Sequence, residues 1–295
     1  MGCEAVGRML DEARRAARPT LSFEMFPPKG VLTVERAREV TSELAVLCPD
    51  FVSVTCSAGG GGNGSDGATT AIAAMIQDEF AVASVAHLTC VGATRQTVAD
   101  TLADMQARGV RTVMALRGDL PEGVSEHHGD YELACDLIPE LKEAGFCAGA
   151  AAYPEGHITC TDRRTSLEHL KAKQAAGADF FVTQLAFDNE DILQFVDAAR
   201  RARITVPIVC GVMPFVSKSQ ITRMVFLCGA SLPSPVIKLL ARYENDPASL
   251  AQAGIEYACG QLEGLVAEGV DGVHVYTMNR ADVARAAREV VAEAS

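Results

Sequence analysis

"DFFVTQLAFDNEDILQFVDAARRARITVPIVCGVMP", residues 179–214, contains a whole architectural unit. DFFVTQLAF (179–187) is a short apolar run rich in Phe and Val, the signature of a buried strand. NEDILQFVDAARRA (189–202) spaces its apolar residues at helical intervals behind an Asp-Asn start, and VPIVCGVMP (206–214) returns to strand. Working outward, the same alternation recurs. Further strands are expected at TLSFEMF (20–26), DFVSVTCS (50–57), ASVAHLTC (83–90), RTVMALRG (111–118), CAGAAAYP (147–154) and VDGVHVYTM (270–278). Helical patterns lie between them, among them VERAREVTSELAVL, TVADTLADMQARG, YELACDLIPELKEAG and RRTSLEHLKAKQAAG, several closing on Gly as a helix C-terminus should.

Eight strand-then-helix units without a linker or a break in composition predict a single (β/α)8 TIM barrel over residues 1–295. A doubly wound open sheet is the alternative. The surplus length fits an extra N-terminal helix at 4–17 and additional helix between strands seven and eight, where residues 231–269 hold two helical patterns. At 48% hydrophobic residues the chain has ample material for a core. A net charge of -12 without clustered Lys and Arg argues against a nucleic-acid surface. The ten cysteines are scattered and form no CxxC pair, so reduced thiols in a cytoplasmic protein are expected rather than a disulfide scaffold. The N-terminus has no apolar leader and carries Val6 where a myristoylation signal needs Ser or Thr, and no apolar run is long enough to span a membrane.

In such a barrel the chemistry belongs at the C-terminal ends of the strands. That rule collects Glu24, Thr55, His87, Arg117, Gly118, Asp119, Tyr153, His157, Gln184, Tyr276 and Arg280 on one rim. Glu24 is the conspicuous member, a carboxylate inside the apolar run LSFEMF. Burying such a group unpaired is costly, so it must be paired, protonated or open to a cavity. Strand alternation puts Ser22, Glu24 and Phe26 on the barrel side, and the apolar company favours the protonated acid. Two other readings fail and a third is weakened. Gly59, Gly61 and Gly64 satisfy GxGxxG, but no acidic residue follows at a strand end. His127 and His128 have no partners at metal spacing, and no metal is expected. No strand ends in a lysine placed for a Schiff base, since Lys29 and Lys218 fall in the loops beyond.

The segments SFEMFPPK, FVSVT, HLTC, ALRGDLP, AAYPEGH, TQLAFD and HVYTMNR occur in an order and spacing that resemble the methylenetetrahydrofolate reductase family, over residues 20–290. The resemblance implies a (β/α)8 barrel with non-covalent FAD that reduces 5,10-methylenetetrahydrofolate to 5-methyltetrahydrofolate, in a form similar to bacterial members that lack a C-terminal regulatory domain. It implies Glu24 as general acid, hydride delivery from reduced FAD, and Asp119 near flavin and pterin. The implied FAD contacts are Thr55, His87, Arg117, Gly118, Asp119, Tyr131, Tyr153, His157, His169 and Lys173, and the implied substrate contacts are Gln184, Tyr276 and Arg280. Relatives commonly carry Asp, Asn and Arg where Ser166, His169 and Ala172 stand, so the contacts to the FAD diphosphate and ribose are expected to be fewer or rebuilt. The implied electron donor is NADH, NADPH or a partner redox protein, and a cytoplasmic homo-oligomer is expected. A flavin-free folate-binding methyl-transfer barrel and a non-catalytic subunit of a redox complex are the competing functions. Purified protein that shows no flavin absorbance and takes up no added FAD would exclude the first reading.

Overall fold

The structure, a computed structural model, describes residues 5–27, 34–56, 67–119, 129–158, 160 and 162–294. The glycine run at 59–64, the pair at 127–128 and Lys29 lie outside them. The strands are β1 (Thr20–Met25), β2 (Phe51–Val54), β3 (Ala83–Thr89), β4 (Thr112–Leu116), β5 (Cys147–Ala152), β6 (Phe180–Thr183), β7 (Ile208–Val212) and β8 (Gly272–Tyr276). They pair in parallel, each with the next, and β1 closes on β8 with Thr20 opposite Gly272 and Glu24 opposite Tyr276. The barrel therefore stands as the sequence predicts, with strand ends trimmed by one to four residues.

The helices are α1 (Val6–Arg15), α2 (Val34–Ala45), α3 (Ala68–Phe80), α4 (Arg95–Ala107), α5 (Ala134–Glu143), α6 (Arg163–Ala175), α7 (Asn189–Arg201), α8 (Lys218–Cys228), α9 (Ser234–Arg242), α10 (Pro247–Ala267) and α11 (Ala281–Ala294). None is long and apolar enough to cross a membrane. The stretch between β7 and β8 holds three helices rather than the two expected. The third, α8, starts at Lys218, a position expected in a loop; Ser217 caps it by accepting from the Gln220 N–H, and left-handed Gly229 ends it.

Period-two alternation divides the strands into two faces. Leu21, Phe23 and Met25 point outward into the large core beneath the helices, packed with residues such as Ala37, Leu44 and Val283. The inward face carries Phe51, Val85, Met114, Phe180 and Val209, and α1 closes the bottom by packing Val6 and Leu10 against them. Both α1 residues are fully buried, each contributing roughly 1.5–3 kcal/mol. The Val6 N–H donates to Thr112 Oγ1 at 3.2 Å, which pins the plug to the barrel. With one end shut, any ligand must enter from the other.

Candidate active site

The open end holds a cavity of about 340 Å³. Glu24, from the last turn of β1, reaches it beside His87 of β3, Thr55 beyond β2, Arg117, Gly118 and Asp119 beyond β4, Tyr153 and His157 beyond β5, Gln184 beyond β6, and His274 and Tyr276 of β8. Met213 beyond β7 and Met224 and Cys228 of α8 complete its wall. Strand seven, which offered no polar group in the sequence, thus contributes an apolar one. Glu24, Asp119 and Gln184 line this one cavity together.

Backbone devices hold the rim. Gly118 sits at φ +84°, and a Cβ there would lie 2.8 Å from Val91 Cγ1, so glycine alone lets the chain turn between Arg117 and Asp119. Gly211 makes room for Tyr276: a Cβ would meet Thr183 O at 2.4 Å and the Tyr276 ring at 2.8 Å. Tyr276 donates its hydroxyl proton to Thr183 O at 2.7 Å, and burial holds its pKa well above the ordinary value. It is a neutral tether across the barrel, not a proton carrier. The turn after β8 fastens the end of β1. Thr277 Oγ1 donates to Glu24 O at 2.7 Å, the Phe26 N–H donates to Asn279 Oδ1 at 3.0 Å, and Asn279 Nδ2 donates to Phe26 O at 2.8 Å.

The surroundings of Glu24 differ from the expected apolar company. Its chain neighbours Phe23 and Met25 face the helices, while inside the barrel its Oε2 lies 3.9 Å from both His87 Nε2 and His274 Nε2. Burial lowers the His87 pKa, with the opposing pull of Glu24 second in size. His274 did not stand out in the sequence. Its position two residues before Tyr276 on the inward face was the available signal.

A second cavity, about 130 Å³, runs outward between α5 and α6 and shares Leu116, Arg117, Ala151, Tyr153 and His157 with the first. Ser166, His169 and Lys173 line it from successive turns of α6. Lys173 donates to Ala151 O at 2.8 Å, lies 5.4 Å over the Tyr153 ring and forms no ion pair among the described residues. Burial brings its pKa down to about 8 and pushes Tyr153 up to about 12. Burial also lowers His157, reinforced by Arg117 and Lys173. A small-residue channel (Ala115, Ala134, Ala151, Ala152, Ala172) with an uncompensated cation suits an extended anionic group whose ring end occupies the wider chamber.

Two implied contacts line neither cavity. Tyr131 is buried with its hydroxyl on Glu140 at 2.5 Å, and Arg280 pairs with Asp282 beside the rim. Lys218 pairs with Glu244 at 3.2 Å and is likewise outside. No cluster of three metal-ligating side chains occurs among the described residues.

Comparison with known proteins follows the same lines. The family model for methylenetetrahydrofolate reductase matches residues 8–293. The chain is 34% identical to 5,10-methylenetetrahydrofolate reductase of Pectobacterium carotovorum over 96% of its own length and 93% of the relative's. It is 31% identical to methylenetetrahydrofolate reductase (NADH) 1 of Zea mays, covering 91% of this chain and 47% of that longer one. In fold alone it is similar, at TM-score 0.61 and 15% identity, to a Clostridium thermocellum protein that binds two copies of 5-methyl-5,6,7,8-tetrahydrofolic acid, covering 96% of this chain and 98% of that one. The chain belongs to the methylenetetrahydrofolate reductase family, the enzymes of folate one-carbon reduction.

Proposed function

We propose that the chain reduces 5,10-methylenetetrahydrofolate to 5-methyltetrahydrofolate with FAD as its cofactor, Glu24 as general acid, and NADH or NADPH as donor. The observation that carries this reading is an adjoining pair of cavities: one chamber where Glu24, Asp119 and Gln184 meet, sharing Arg117, Tyr153 and His157 with a side channel that Lys173 lines. Bound there, FAD supplies a two-electron carrier between a nicotinamide donor and an electrophilic carbon. Arg117 and Lys173 offset the diphosphate charge, and the alanine-lined channel admits the cofactor's tail. Thr55, His87, Gly118, Tyr153, His157 and His169 make up the rest of the wall around it.

On the substrate, Glu24 gives its proton to N10, the bond from N10 to the methylene carbon breaks, and an N5 iminium cation remains. Asp119, at the rim of the same chamber, stabilises that cation as it develops. Gln184 both donates and accepts, which the edge of a pterin requires. The methionine-lined side of the chamber (Met213, Met224, Met278) offers apolar contact to the flat rings and excludes water.

An anaerobic titration of purified protein with NADH and with NADPH, followed by flavin absorbance, tests the reading. Bleaching by either, restored on adding 5,10-methylenetetrahydrofolate, supports it. Protein that neither contains nor takes up FAD refutes it and leaves the flavin-free barrel. Bound FAD that no nicotinamide bleaches would transfer the donor role to a partner redox protein.

A further inference from the structure

The run YPEGH beyond β5 sends its side chains two ways. Tyr153 and His157 meet edge to face, with ring centroids 4.8 Å apart, and line both cavities. Glu155, between them, lines neither. Its Oε2 instead accepts from the Ser231 N–H at 2.9 Å, in the loop that joins α8 to α9. Ile158 follows the same course: a Cβ on Gly229, the residue that ends α8, would lie 3.6 Å from Ile158 Cβ. The turn after β5 and the far end of α8 are thus joined at two points.

That joint matters because α8 walls the chamber. Its first turn is fastened to the end of β7: the Val216 N–H donates to Gln220 Oε1 at 2.7 Å, and Gln220 Nε2 donates to Pro214 O at 3.2 Å. Met224 and Cys228, one turn apart further along, face the chamber and not the side channel. Beneath them α8 rests on apolar packing with Phe215 and Val236, which has no directional preference. Between Thr222 and Ser231, the bond to Glu155 is the one hydrogen bond to the strand-end turns among the described residues.

We infer that Glu155 is a positioning residue for the folate: it fixes the far end of α8, so that Met224 and Cys228 keep their place against the substrate. This deepens the proposed function and rests on it. The second Glu155 oxygen, Oε1, is buried without a hydrogen-bond partner. A side chain placed for stability alone would satisfy both oxygens, and a bare one weakens the free protein. Ser231 is exposed, so water can take the place of the carboxyl on its N–H. Removing Glu155 therefore leaves the fold as stable as before and lets the chamber wall drift.

Two variants and two measurements test the inference. Glu155→Ala removes the acceptor, whereas Glu155→Gln keeps a carbonyl oxygen for the Ser231 N–H. In steady-state assays Glu155→Ala should raise the folate KM roughly three- to tenfold, the scale of one net hydrogen bond. Its kcat and FAD Kd should stay within about twofold of native, and its melting temperature should be unchanged or higher. Glu155→Gln should restore the native KM. Amide hydrogen exchange of the folate-free protein is the second measurement. Residues 225–231 should exchange about tenfold faster in Glu155→Ala, with Cys147–Ala152 of β5 unchanged. A native KM in Glu155→Ala, a raised KM that Gln does not rescue, or unmoved exchange at 225–231 overturns the inference. So does a lowered melting temperature with KM unchanged, the mark of a purely structural residue. Native protein that reduces no folate refutes the function instead, and the exchange result alone then decides whether Glu155 holds the wall.

Discussion

Replacing Lys173 with Met separates stability from cofactor affinity. The Lys173 ammonium is held by the Ala151 carbonyl and a Tyr153 ring face, with no carboxylate beside it among the described residues. In the absence of cofactor the charge is a burden, and burial alone has brought its pKa down to about 8. Met keeps the stem and removes the charge, so the apo protein should melt at the same temperature or higher. Affinity should move the other way. A hydrogen bond between an ionised donor and a diphosphate oxygen contributes about 1.5–3 kcal/mol, which at about 1.4 kcal/mol per decade is a roughly 10- to 140-fold rise in the FAD Kd.

The pH dependence gives a second check, and its sign is fixed. The free protein's Lys173 loses its proton as pH rises through about 8, while a bound diphosphate favours the protonated form and raises that pKa. Native affinity is therefore full below pH 8 and declines above it, approaching about tenfold per unit until the bound-state pKa is passed. Tyr153 titrates near 12 and leaves the window clear. Lys173→Met should be flat across it. Fluorescence titration of FAD between pH 6.5 and 9.5 measures both effects. A native Kd that does not change with pH, or a variant Kd equal to the native one, refutes the placement of the diphosphate.

Leu10→Ala should cost about 2–5 kcal/mol in denaturant unfolding, since Leu10 is fully buried in the barrel floor, while FAD affinity stays close to native because the floor is remote from the rim. Asn279→Ala should cost about 1–3 kcal/mol, since it removes both side-chain bonds to Phe26 and leaves Ala at a left-handed φ of +56°. The same variant loosens the strand end that carries Glu24, so the folate half-reaction should slow more than reduction by the donor, as stopped-flow measurement of each would show.

The barrel was legible because its strands are short and apolar, all but the small-residue β5 (CAGAAA) carrying β-branched or aromatic residues, and are bounded by loops and amphipathic runs; DFFVTQLAF and VPIVCGVMP carry that signal within one crossover. The rim was legible because polar residues recur at the strand ends. Helix α8 was missed although Ser217 and Gly229 bracket it, because its face towards the cavity, Met224 and Cys228, is too sparse to give a strong period. The setting of Glu24 could not be read from LSFEMF, since a strand's sequence neighbours face the other way and its spatial neighbours come from β3 and β8. Tyr131 and Arg280 show the same limit from the other side: proximity to a motif fixes where the backbone passes, while Glu140 and Asp282 decide what the side chain touches.

The central claim is that Glu24 supplies the proton that opens the folate ring. Anaerobic stopped-flow of Glu24→Gln, with donor oxidation and folate reduction followed as separate half-reactions, tests it most directly. Flavin reduction by the donor should persist near the native rate, and folate reduction should fall by at least ~10²-fold, the lower end of what a general acid contributes. Equal loss in both half-reactions, or native folate reduction by the variant, would contradict the account.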